Sequence, residues 1–233
     1  MAKYMPKTTR DLIFLANNPT IKLSDIDTSH ITNMSGIFHN SQRTDFSGIN
    51  TWDTSNVTSM TFMFAMAENF NEPLNSWKTN KVTNMACMFS NATKFNQPLD
   101  EWNVSNVKNM AYMFHNAVNF NQNIDNWKID KVTDMSGMFF LARQFDKPLN
   151  QWGNKLLNVK DMRMMFCGAV NFNQPLDKWV LSNVKCMKEM FVYAKKFNQN
   201  IDKWCINKEI CDTQDMFVKS ALDRLDKLPQ WYK

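Results

Sequence analysis

The sequence predicts an α/β repeat solenoid of about eight coils, each coil a short strand or extended turn followed by one helix. Three observations carry this reading. Tryptophan recurs at Trp52, Trp77, Trp102, Trp127, Trp152, Trp179 and Trp204, with a spacing of 25 residues broken once by 27. Phenylalanine recurs in phase at Phe38, Phe64, Phe89, Phe114, Phe139, Phe166, Phe191 and Phe217. Within each period the apolar pattern changes from alternation to helical spacing.

The chain divides into an N-terminal capping helix within 1–24, the repeat over 25–219 and a C-terminal cap over 220–233. Residues 6–18, PKTTRDLIFLANN, form an amphipathic stretch opened by Thr8 or Thr9 and suited to cover the first coil. The unit 95–119 reads FNQPLDEWNVSNVKNMAYMFHNAVN. Pro98 before Leu99 marks a turn into an extended segment, and Trp102 and Val104 alternate with Asn103 as in a short strand. Val107, Met110, Met113, Phe114 and Ala117 then fall on one face of a helix. The small column Ala67, Ala92, Ala117, Ala142, Ala169 and Ala194, ended by Ser41 and Ser220, allows close packing between neighbours. Strands about 4.8 Å apart and helices about 10 Å apart make the strand side concave. At the far end a helix is expected through Ala221, Leu225 and Leu228 to Pro229.

Composition agrees. The chain holds 30 Asn, 18 Met and 18 Phe but only 5 Gly, as a few reused positions would give. Asn71, Asn96, Asn121, Asn173 and Asn198, with Asp146, are read as an inward ladder satisfying turn backbone within and between units. Apolar residues at 44% and charged residues at 21% exclude disordered and collagen-like classes. The net charge of +5 arises in 117–233, which holds 18 basic and 13 acidic residues against nine of each before it. Five irregular Cys without a CxxC pair exclude a disulfide framework or zinc ribbon, so reduced thiols are expected. No apolar run reaches the roughly 18 residues of a membrane span, and Leu12–Ala16 is too short for a signal peptide. A cytoplasmic location is expected as the sequence stands, or a surface or secreted one if a leader was removed.

Units of the form FNQPLxxWxVSNVxNMxxMFxxA, as at 95–117 and 172–194, resemble the repeats of bacterial BspA-like proteins. That family, also described as the mycoplasma-type surface-protein repeat, is grouped with leucine-rich repeats. The resemblance covers about residues 25–219. It implies a leucine-rich-repeat-like solenoid with roles in protein binding, adhesion or host interaction, and it offers no catalytic residues.

The residues themselves carry no chemistry. His39 and His115 share a column but stand three coils apart, at least about 14 Å, too far to share a metal. Cys186 and Cys211 share an offset seven residues after Trp179 and Trp204, which allows a disulfide or half a metal site, but two buried core thiols are the favoured reading. Asp134 with Asp161, and Asp177 with Asp202, stack like glycosidase carboxylates, yet the same columns hold Asn84, Asn109, Asn75 and Asn150. A column that interchanges Asn and Asp is a turn position. Neither an enzymatic activity, a cofactor nor a metal is therefore expected. Lysines recur in the second half, but with the aromatics buried no stacking platform remains for nucleic acid.

The expected function is recognition of an as yet unidentified protein by a monomer, through residues flanking the tryptophans on the concave strand face: Ser76, Lys78, Glu101, Asn103, Asn126, Lys128, Gln151, Lys178 and Lys203. The alternatives are an adhesive or structural surface module, a secreted host-interaction protein, and an inhibitor or accessory of another protein.

Overall fold

The computed structural model describes residues 3–232. Helix α1 (Thr9–Ala16) opens with a capping box, in which Thr8 and Asp11 each accept the other's backbone N–H. Leu12 and Ala16 are fully buried against the first coil. Thr9 Oγ1 donates to the Asn33 carbonyl and Asn17 Nδ2 to the Ile37 carbonyl, both at 2.7 Å. The helix thus seals both the core and the backbone of the first coil. Arg43, buried to 8% exposure, ties it down by donating to the carbonyls of Ala16, Asn18, Ile21 and Asp45.

In the repeat, Met110, Met113, Phe114 and Ala117 are all fully buried, but the segment that carries them is not a helix. Tyr112 (φ 55°) and Asn116 (φ 50°) are left-handed, and the chain runs as consecutive tight turns. Met113 N–H donates to Met110 O, His115 N–H to Tyr112 O and Ala117 N–H to Phe114 O. The remaining N–H groups, of Met110, Tyr112, Phe114 and Asn116, donate to Asp134, Ser136, Met138 and Phe140 in the next coil at 2.7–2.9 Å. Corresponding residues form the same rungs at each junction from 34–40 through 187–193.

These rungs overturn the expected helix per coil. Two successive four-residue turns put positions i, i+3, i+4 and i+7 on one side just as a helix does, so the apolar spacing fits both. A helix spends its N–H groups internally and needs about 10 Å to its neighbour. The turn ribbon stacks at the pitch of an extended chain and spends half its N–H groups on the next coil. Each left-handed non-glycine residue costs about 1–2 kcal/mol, which the inter-coil hydrogen bonds and the buried Met and Phe offset.

The expected strand is overturned too. The stretch around Trp102–Val104 is irregular, and the β-pairing lies elsewhere, in isolated parallel bridges linking Asn33, Ser59, Asn84, Asn109, Asp134, Asp161, Cys186 and Asp212 in turn. Among the described residues there is no sheet, and α-helix is confined to α1 and α2 (Ala221–Arg224). The α/β, leucine-rich-repeat-like solenoid is therefore not what the chain builds. It builds a stack of turns. Without helices, the unequal spacing that was to make one side concave disappears. The C-terminal helix is likewise short, ending at Arg224 rather than reaching Pro229.

Aromatic columns fill the stack. Phe64, Phe89, Phe114 and Phe139 lie nearly parallel with centroids 5.5–5.7 Å apart. A second column, Phe70, Phe95, Phe120 and Phe145, interlocks with it at 3.8–4.0 Å within each coil. Every tryptophan from Trp52 to Trp231 donates its indole N–H to a carbonyl of the preceding coil, at 2.8–3.2 Å. The Asn ladder joins coils as expected: the N–H groups of Asn96, Asn121, Asp146, Asn173 and Asn198 each donate to the side chain one coil back. It is half-buried to exposed rather than inward. The longer coil absorbs its two extra residues in a 3-10 segment, Asn150–Asn158.

Candidate functional site

The chemistry-bearing candidates resolve into structure. Asn84, Asn109, Asp134, Asp161 and Asp212 each accept the N–H two residues on, at 2.8–3.0 Å. That is an Asx turn, and it explains why the column interchanges amide and carboxylate. Asp161 is also paired with Arg163, which holds the guanidinium pKa up. His115 places Nδ1 at 2.9 Å from Ser90 Oγ and stacks on Phe140 at 5.0 Å, and burial lowers its pKa. All five thiols are free, and burial pushes Cys167 and Cys211 up to about 11. No cluster of three or more metal-ligating side chains exists among the described residues.

Two surfaces remain. On the first, all nine residues flanking the tryptophans are exposed while each intervening indole is buried. Ser76, Lys78, Glu101 and Asn103 line one shallow hollow of about 590 Å³. Glu101 and Asn103 meet Asn126 and Lys128 in the adjoining one, of about 300 Å³. Gln151, Lys178 and Lys203 lie further along the row and line neither. Three of the nine are committed to the scaffold: Ser76 and Asn126 donate to carbonyls of the preceding coil, and Asn103 accepts from Ser105. This surface is polar and solvated.

The second surface is the outward side of the rung segments, to which the sequence reading gave no role. It carries Phe62 (45% exposed), Met66 (46%), Tyr193 (45%) and Val218 (40%). Between them lie half-buried Tyr112, His115, Phe140, Leu141, Met164 and Val192. Contacts run coil to coil: Tyr112 covers Gly137, Leu141 covers Gly168, His115 stacks on Phe140, and the Lys219 ammonium lies 5.1 Å over the Tyr193 ring. Asn116 Nδ2 donates to Asn91 Oδ1 at 2.8 Å, so the polar groups along the strip are satisfied from within. The sequence signal was present: apolar residues recur at 62, 66, 112, 140, 141, 164 and 193, between the core columns.

A stack of coils that recur about every 25 residues defines a repeat protein. The chain belongs to the family described as Mycoplasma protein of unknown function, DUF285, which matches residues 9–127, 82–157 and 113–231. The match supports a repeat family, while the BspA-like relationship is finer than it shows. No curated protein and no solved structure matches the chain. No helix among the described residues is long and apolar enough to cross a membrane.

Proposed function

We propose that the protein is a non-enzymatic recognition module that binds another protein through the apolar strip on the outward side of its rung segments. One observation carries the reading: Phe62 and Met66 toward one end of the stack, and Tyr193 and Val218 toward the other, stay 40–46% exposed on the outward side of the rung segments, with half-buried Tyr112, Phe140, Leu141 and Met164 between them. Exposed apolar side chains gathered on one side of a molecule mark interaction sites, whereas polar surface does not. The backbone beneath is fixed by rungs at every coil, so little ordering entropy is lost on binding. The tryptophan-flanking residues, polar and partly committed to the scaffold, serve as a rim.

The test separates the two surfaces. Phe62→Asn and Tyr193→Asn keep the left-handed backbone that Asn tolerates and remove the aromatic contact. Reversing charge at Lys128, Lys178 and Lys203 alters only the tryptophan side. Photo-crosslinking in host extract should lose its partner with the first pair and keep it with the second. The opposite pattern overturns the assignment of the face.

A further inference from the structure

Each coil junction uses one row of backbone donors. At the last junction Met187, Glu189, Phe191 and Tyr193 donate to Asp212, Gln214, Met216 and Val218. The next row in register is Thr213, Asp215, Phe217 and Lys219. Lys219 N–H donates to Asp223 Oδ2 at 2.9 Å. Among the described residues, the N–H groups of Thr213, Asp215 and Phe217 meet no acceptor. Asp215 (φ 55°) and Lys219 (φ 59°) hold this row in the left-handed geometry of the filled rows.

The C-terminal cap closes the aromatic columns but not the backbone row. Trp231 stacks on Trp204 at 6.1 Å and donates to Ile201 O, and Tyr232 stands edge-on against Phe217 at 5.0 Å. Within the row Asp215 is exposed and Thr213 half-buried, whereas Phe217 is 1% exposed beneath Trp231 and Tyr232. The opposite end differs, because α1 fills the acceptors of Asn33 and Ile37 there. An unfilled edge row is a template for another chain.

We propose that the Thr213–Asp215 end of this row is a docking edge for an extended segment of a partner polypeptide, added through its backbone carbonyls as further rungs. The filled junctions define that segment. It carries acceptor carbonyls at every second residue, and the exposed Asp212 and Asp215 favour basic residues at its outer positions. A second copy of this chain is the poorer occupant, since α1 caps its matching acceptor edge.

The probe is a synthetic peptide with the sequence of residues 107–117, in which the carbonyls of Asn109, Ala111, Met113 and His115 already fill such a row within the protein. With excess peptide, hydrogen exchange at the Thr213 and Asp215 amides of the full chain should slow by about tenfold or more. Thr213→Pro should abolish binding with an unchanged melting temperature, because that N–H has no acceptor among the described residues to lose. Unaltered exchange with peptide present, or undiminished peptide binding by Thr213→Pro, overturns the proposal. Protection that rises with protein concentration in the absence of peptide also overturns it, in favour of a second copy. Should the proline variant fail to fold, exchange in the unmodified protein decides the matter.

Discussion

The indole N–H of Trp127 donates to the carbonyl oxygen of Leu99, one coil earlier, at 3.0 Å. Both groups are buried, and the bond recurs at every tryptophan, so the column binds coils as well as filling space. Trp127→Phe keeps a flat ring but removes one of the two donors to the Leu99 carbonyl, which still accepts the Trp102 N–H, a loss of about 0.5–1.5 kcal/mol beyond the cavity. Urea unfolding should show that loss, while the same change at half-buried Trp231 costs less. A Trp127→Phe midpoint equal to the unmodified one would mean that the bond contributes nothing.

Gly137 separates two costs. A Cβ there would lie 2.2 Å from Tyr112 Cε1, and the residue is left-handed at φ +57°. At Gly36, also left-handed at φ +68°, the nearest atom is His39 Cβ at 3.9 Å. Gly36→Ala should therefore cost only the backbone term, about 1–2 kcal/mol, and Gly137→Ala more. Adding Tyr112→Ala to Gly137→Ala should recover the difference in a double-mutant cycle by thermal melting. Equal costs at the two glycines would show that Tyr112 simply moves aside.

The columns were legible because identical side chains recur at one period, which only stacking explains. The backbone between them was not. Met110, Met113, Phe114 and Ala117 suit a helix and a pair of turns equally, and apolar spacing cannot choose. The discriminating signal is weaker: the two left-handed columns include Gly36, Gly137 and Gly168 with Asn40, Asn91 and Asn116, residues that tolerate φ above zero. Tyr112, Leu141 and Met164 occupy the same columns and mask it. The tryptophan-flanking residues were found because exposure does alternate there. The outward apolar residues were missed because Phe62, Met66, Tyr112, Leu141, Met164 and Tyr193 sit at left-handed positions of a turn ribbon that a helical reading does not contain, and Trp231 because it lies in the cap.

Arg43 governs the attachment of α1. Its guanidinium donates to Ala16 O, Asn18 O and Ile21 O at 2.8–3.0 Å, from a site 8% exposed. Arg43→Met leaves the Ala16 and Ile21 carbonyls without a donor, while Asn18 O keeps the Ile21 N–H, an expected loss of about 2–3 kcal/mol or more. Lysine, with one nitrogen, restores only part of it. Limited proteolysis should then cut within 1–24 before the stack unfolds. Cleavage of the variant at the rate of the unmodified protein would place the anchor elsewhere, in Thr9 and Asn17.

Acid should weaken the protein in two separate windows. Burial lowers the His115 pKa, so the folded ring stays neutral where the unfolded chain binds a proton. The unfolded state then holds more protons, and this contribution to stability is complete above the ordinary histidine value of about 6.5 and falls as pH drops below it. Asp11, Asp27 and Asp45 are lowered chiefly by hydrogen bonds from Thr8, Ser29 and Ser47. Their contribution is present above the ordinary aspartate value of about 3.9 and is lost only as pH falls below it. Between pH 7 and 5 the melting temperature should therefore fall in the unmodified protein and stay nearly level in His115→Gln, whatever the variant's absolute stability. Below pH 4 the two should fall together. A parallel decline from pH 7 to 5 would remove His115 from the acid response and assign that window to groups outside the Ser90–His115–Phe140 contact.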